Sequence, residues 1–173
     1  MNVLLPDLHG HGKSEGKAIQ MGWNDRKDIE QWIPIAERMF RDSHHPSRIV
    51  LHGVSMGAAT TMNVSGDKGV PSYVKAYIED CGYTSVRDEF ADQLKAQFGI
   101  PEFPLLPITS QLCQMKYGWN FYEASSLRQI AHCHRPMLFI HGDNDTYVPS
   151  WMVHPLYKAK PQPKELWITK GSE

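Results

Sequence analysis

The chain has 173 residues, 41% hydrophobic and 21% charged, the proportions of one globular domain large enough to bury a substantial core. Its formal net charge of -1 gives no electrostatic basis for binding nucleic acid or an anionic membrane surface. No apolar run reaches the roughly 20 residues a membrane span needs, the opening Met1-Asn2 lacks the charged region of a secretory signal, and Cys81, Cys113 and Cys133 are too scattered for a disulfide framework. A reducing compartment is the simpler reading of those cysteines; location and oligomeric state stay open.

In chain order, the apolar run Val3-Leu4-Leu5-Pro6-Asp7-Leu8, broken by His9-Gly10-His11-Gly12, reads as a buried parallel strand. Ile29, Trp32, Ile33, Ala36 and Phe40 recur at helical spacing and predict a helix over 24–41. Pro34 inside that pattern is expected to kink or break it. A second strand over 47–52 has Arg48-Ile49-Val50-Leu51 as its body, and a helix of small residues follows over 56–64. Tyr73, Val74, Tyr77 and Ile78 favour a third strand over 73–79. Residues 84–130 read differently, with a helix over 86–98, a segment carrying Pro101, Pro104 and Pro107, and a helix over 108–117. Helices inserted between two strands commonly form a lid or cap. Pro136-Met137-Leu138-Phe139-Ile140 is a fourth strand, 150–158 a helix, and 164–169 a fifth strand. Strands separated by helices mean an α/β fold with a mostly parallel sheet, here one domain over 1–173 with a small helical cap insert over 84–130.

Gly53-Val54-Ser55-Met56-Gly57 stands between a predicted strand and a predicted helix, the context of a nucleophile elbow. So sharp a turn strains its central residue and projects the Ser55 side chain from the sheet, and glycines on either side remove Cβ atoms that would clash. The Met56 backbone N–H and the positive end of the helix then face any oxyanion that develops beside Ser55. A second constellation, His141-Gly142-Asp143-Asn144-Asp145-Thr146-Tyr147-Val148-Pro149, follows the fourth strand, at the carboxyl end where open α/β sheets place their sites. A carboxylate there can accept a histidine N–H and fix its tautomer. Gly, Asp and Asn together also make turns, but the chain order Ser then Asp favours the catalytic reading.

Together these motifs, with Leu5-Pro6-Asp7-Leu8-His9-Gly10-His11-Gly12-Lys13-Ser14 ahead of the elbow, resemble the α/β-hydrolase superfamily along nearly the whole chain. The nearest likeness is to lipase-like and serine-aminopeptidase-like members. The departure is His9, where the usual loop carries arginine. The resemblance implies Ser55 as nucleophile, Asp145 as the acid of the triad and the Met56 N–H as part of the oxyanion hole. It leaves Asp143 and Asp80 as alternative acids. It implies no cofactor and no metal.

The resemblance also implies parts outside this sequence. The catalytic histidine is expected just after Trp167-Ile168-Thr169-Lys170-Gly171-Ser172-Glu173, and about three strands before Val3, one of which would lie between the Val3 and Arg48 strands. The sequence therefore reads as an internal fragment, nearly inactive by itself. Among its own nine histidines, His9 and His11 could stand near Ser55, His52 and His141 read as structural, and His154 points elsewhere. His132-Cys133-His134 and His44-His45 invite a zinc reading but lack companions at ligand spacing. Phe90, Phe98, Phe103, Leu105, Leu106, Tyr117, Trp119, Phe121 and Tyr122 either line an acyl or alcohol pocket or pack the insert against the sheet. The expected activity is ester hydrolysis by a Ser-His-Asp triad on a small-molecule substrate. Cleavage of short peptides, or a binding role without catalysis, are the alternatives.

Overall fold

The computed structural model describes residues 1–172. Its elements run α1 (Asp25–Phe40), β1 (Ile49–Val54), α2 (Met56–Ser65), β2 (Val74–Asp80), α3 (Val86–Phe98), α4 (Leu105–Tyr117), α5 (Ser126–Ile130), β3 (Met137–Gly142), a 3-10 turn (Ser150–Met152) leading into α6 (Val153–Ala159), and β4 (Lys164–Thr169). The strands lie in the order β1-β2-β3-β4 and every pair is parallel. Parallel neighbours cannot be joined by a tight turn, so each connection crosses back through helix. All four strands therefore end on the same edge of the sheet, where the elbow and the Asp145 loop emerge.

The main core forms where α1, α2, α5 and α6 meet the sheet. Ile33, Met62, Val64, Val74, Tyr77, Ile130, Phe139 and Leu156 are buried together there. Phe139 stands edge-on to Tyr157 with ring centroids 5.7 Å apart. Because Phe139 is wholly enclosed in the central part of the sheet, Phe139→Ala is expected to cost about 3–5 kcal/mol of unfolding free energy, read from urea denaturation. A second buried cluster of Ala59, Tyr83, Val86, Leu106, Trp119 and Phe121 ties α3 and α4 to α2. Ser85 caps α3, its hydroxyl accepting the Asp88 N–H at 3.0 Å.

Two expectations are corrected and one helix is added. Residues 3–8 form no strand; Val3 and Leu5 are exposed, because an apolar run becomes a strand only where another strand satisfies its backbone, and none among the described residues pairs with it. Of the kink or break expected at Pro34, the break is absent: helix α1 runs on through it, with Ile33 packed in the core beside it. Helix α5, absent from the sequence reading, is five residues long with Ser125 accepting the Arg128 N–H at 3.3 Å.

The aromatic and apolar side chains of 84–130 divide. Leu106, Trp119 and Phe121 are buried in the second cluster and Phe90 packs against it, whereas Phe98, Phe103, Leu105, Tyr117 and Tyr122 are exposed. The first group packs α3 and α4 in place, and the second faces solvent.

Candidate active site

Ser55 sits where β1 ends and α2 begins, with φ 54° and ψ -116°. A non-glycine residue at positive φ is strained, and such strain persists only where the surroundings fix it. Here the fixing is visible: the Ser55 N–H donates to the Asp80 carbonyl at 2.8 Å and its own carbonyl accepts from Ala59 N at 3.0 Å. The Ser55 side chain does not cap the helix it precedes, so its hydroxyl is left for other chemistry.

The two elbow glycines are not equivalent. A Cβ on Gly53 would stand 2.0 Å from the Gly57 carbonyl oxygen, so the first turn of α2 closes onto β1 only because position 53 has no side chain. A Cβ on Gly57 would meet nothing within 4 Å, which corrects the expectation that both positions relieve a clash. Gly53→Ala is therefore expected to destabilise the protein by more than about 4 kcal/mol or abolish folding. Gly57→Ala should melt close to wild type in the same thermal scan.

Met56 is the first residue of α2. Helix N-terminal N–H groups have no acceptor within the helix, and the positive end of the dipole adds to them. The turn is braced from outside as well. A Cβ on Gly22, at φ +72°, would lie 2.9 Å from the Thr60 nitrogen and 3.1 Å from the Met56 oxygen. The loop holding Gly22 is tied down by Gly22 N–H to Asp25 Oδ2 at 2.8 Å, Asn63 Nδ2 to the Gly22 carbonyl at 3.0 Å and the Tyr83 hydroxyl to the Met21 carbonyl at 3.0 Å.

After β3, the carboxylate of Asp145 closes its own loop. Oδ1 accepts both the Tyr147 and Val148 N–H groups, each at 2.9 Å. Buried His141 approaches Oδ2 at 3.6 Å, but its Nε2 hydrogen-bonds the Val148 carbonyl at 2.9 Å. A carbonyl only accepts, so Nε2 carries the proton in this arrangement. One carboxylate oxygen is thus spent on the loop and the other keeps acceptor capacity. Asp143 differs: it is exposed, its Oδ1 accepts the Gly171 N–H at 2.7 Å, and its backbone N–H donates to Thr169 at 3.0 Å. Asp143 staples the ends of β3 and β4, the turn role.

Between the two motifs lies the end of β2, which no sequence motif marks. Cys81, at φ 50°, donates its N–H to the Ile140 carbonyl at 2.8 Å. Burial pushes its thiol up to about 11, with the Ser55 backbone opposing and the charges of Asp80, Asp145 and Glu79 adding to it. It is protonated at neutral pH and is no rival nucleophile. Asp80 supplies its carbonyl, not its carboxylate, to Ser55. From α3, Gln93 donates to the Tyr147 carbonyl beside Asp145. Buried Glu89 is pushed up to about 7 by desolvation, partly offset by Gln93 and reinforced by the charges of Asp92 and Asp145.

The histidines divide as follows. No histidine among the described residues hydrogen-bonds the Ser55 hydroxyl or Asp145 Oδ2. His9 lines a cleft with Asp7, Glu15, Asp28 and Trp32, against α1. The His11 ring bonds to the His9 carbonyl at 3.0 Å. His52 and His154 are exposed, so the structural reading holds for buried His141 and not for His52. Among the described residues no group of three His, Cys, Asp or Glu side chains is placed to hold a metal ion, and no helix is long and apolar enough to cross a membrane.

The parallel sheet with its flanking helices is shared with solved structures. An esterase of Pyrococcus furiosus, Pf2001, superposes with a TM-score of 0.66 over 95% of this chain and 60% of its own, at 21% identity. The chain has the α/β-hydrolase fold. Within that fold, the acylaminoacyl peptidase of Pyrococcus horikoshii also superposes, with a TM-score of 0.62 over 89% of this chain and 24% of its own, at 21% identity. By sequence, the α/β-hydrolase-fold chain is 32% identical over 172 residues to the uncharacterized protein YqkD of Bacillus subtilis, covering 99% of this chain and 55% of that protein. The chain spans about half the length of the curated relatives it matches. No protein-family model matches it.

Proposed function

We propose that the protein is a serine hydrolase that cleaves carboxylic esters through an acyl-enzyme. The observation that carries this reading is the strained Ser55 at the head of α2, with a free hydroxyl, on the same sheet edge as an Asp145 carboxylate that keeps one oxygen available. β2 alone separates the two strands, so at the usual strand spacing the ends of β1 and β3 stand about 10 Å apart. In the reaction Ser55 Oγ attacks the ester carbonyl while a histidine takes its proton, and Asp145 Oδ2 holds that histidine's other N–H. The Met56 N–H faces the developing oxyanion. Loss of the alcohol gives the acyl-enzyme, and water releases the acid. No histidine among the described residues occupies that position, so the proposal assigns it to a part of the protein outside this chain. The proposed cap over 84–130 exposes Phe98, Phe103, Leu105, Tyr117 and Tyr122, apolar side chains of a kind that suits an acyl group.

Peptide hydrolysis is the second reading, favoured by the likeness to an acylaminoacyl peptidase. The same triad cleaves both bonds, and only the substrate separates them. Assaying the complete reading frame against matched acyl p-nitrophenyl esters and aminoacyl p-nitroanilides tests this. Higher kcat/KM on the esters supports the esterase reading; higher kcat/KM on the anilides replaces it with the peptidase. Turnover of neither by folded protein favours a binding role.

A further inference from the structure

Glu79 is a carboxylic acid where a sheet core ordinarily holds hydrocarbon. In register it lies between Gly53 of β1 and Phe139 of β3, and it is wholly buried. Its carboxyl reaches under the first turns of α2. A Cβ built on Gly82 would stand 2.7 Å from Glu79 Oε2, 2.5 Å from the Met62 methyl and 3.0 Å from the Ala58 Cβ, so these groups converge on one point. Oε2 accepts the Gly82 N–H at 3.0 Å, and Oε1 has no partner among the described residues. Gly82 closes the turn at 80–82. The same turn supplies the Asp80 carbonyl to the Ser55 N–H and ties Cys81 N to Ile140.

We propose that Glu79 is a positioning residue for the nucleophile: by accepting the Gly82 N–H beneath α2, its carboxyl holds the 80–82 turn where that turn anchors Ser55. The inference rests on Ser55 being the nucleophile. A group in this place has to accept a hydrogen bond without carrying charge. Burial pushes Glu79 up to about 8, with the Gly82 N–H opposing and the Asp80 charge adding, so the carboxyl is neutral at pH 7. The elements packed against β2 bring little that would compensate a charge. Helix α2 has no ionisable side chain; β1 has only His52, exposed and opposite Ile78; β3 has only buried His141, two residues beyond Phe139; the turn itself adds Cys81. Ionising Glu79 would set a negative charge beneath the helix whose N-terminus faces the oxyanion, opposing its formation.

Two pH effects follow. The Ser55 reaction should fall as pH rises through about 8 in the wild type. Stability should fall earlier: the unfolded carboxyl ionises near 4.5 and the folded one near 8, so the protein loses stability between those values and no more above. Glu79→Gln keeps a neutral acceptor for Gly82 and removes both effects, whereas Glu79→Ala removes the acceptor.

The test measures the fluorophosphonate labelling rate of Ser55 and the thermal midpoint against pH, on the complete reading frame as wild type, Glu79→Gln and Glu79→Ala. At pH 7 the alanine variant should label on the order of 10²-fold more slowly, the loss expected when a reacting group shifts by about 1 Å. Glutamine should restore the rate, without the wild type's decline above pH 8 and without its loss of midpoint below it. A folded alanine variant labelling at the wild-type rate would overturn the proposal. So would identical pH profiles for wild type and glutamine, a comparison that stands even where the alanine variant does not fold. A wild type that labels at no pH would overturn the nucleophile reading, and this inference with it; labelled wild type with an unchanged glutamine profile overturns this inference alone.

Discussion

Replacing Ser55 by alanine in the complete protein is expected to lower kcat by on the order of 10⁴- to 10⁶-fold on the best substrate of the panel. The size follows from what the site lacks. Removing the hydroxyl removes the group that forms the covalent bond, and the nearest alternative is the Cys81 thiol, which burial holds protonated with a value of about 11. The fold should survive, because the backbone hydrogen bonds that fix the elbow, Ser55 N–H to Asp80 and Ala59 N–H to Ser55, do not involve the side chain. Steady-state kinetics paired with a thermal melt checks this: an unchanged midpoint with lost turnover is the expected pair. Residual turnover within tenfold of wild type would mean another nucleophile.

Asp145→Asn is expected to lower kcat by on the order of 10⁴-fold, the loss that follows when the histidine of a triad is held in the wrong tautomer. An amide can still accept the Tyr147 and Val148 N–H groups through its oxygen, so the loop keeps its shape. The remaining position becomes an NH₂, which donates where the histidine needs an acceptor. Asp143→Asn and Asp80→Asn separate this reading from its alternatives. The amide introduced by Asp143→Asn would keep a carbonyl oxygen for the Gly171 N–H, and Asp80 serves Ser55 through its backbone. Both variants should stay within about tenfold of wild-type kcat, since neither removes a group that touches the reacting atoms. A large loss in either, with Asp145→Asn active, would move the acid there.

Much of the fold is legible in the sequence because its elements announce themselves locally. α3 falls on 86–98 and β4 on 164–169, as periodicity and β-branched or aromatic content predict. Residues 3–8 mislead because an apolar run shows that a segment wants to be buried but not whether a neighbouring strand exists to receive it. α4 begins at Leu105 and carries Pro107 in its first turn, where a missing N–H costs little; reading the three prolines as breakers places its start three residues late.

The site is legible in its two motifs and not in what joins them. Ser55 and Asp145 stand in spacings that carry their own chemistry. Cys81 and Glu79 do not: one is distinguished by a backbone angle and the other by burial, properties that arise only when β1, β2 and β3 come together. Alternation along β2 puts Glu79 on the same face as Tyr77, a hint that it is buried, but a glutamate in a strand more often faces solvent. The free oxygen of Asp145 is likewise a matter of hydrogen-bond accounting rather than of sequence.

The most direct measurement is peptide mapping of the complete protein after reaction with a fluorophosphonate, beside the Ser55→Ala variant. Serine hydrolysis by this site predicts one adduct, on the peptide that carries Ser55, absent from the variant. A folded protein that forms no adduct, or an adduct that persists in Ser55→Ala, would contradict it.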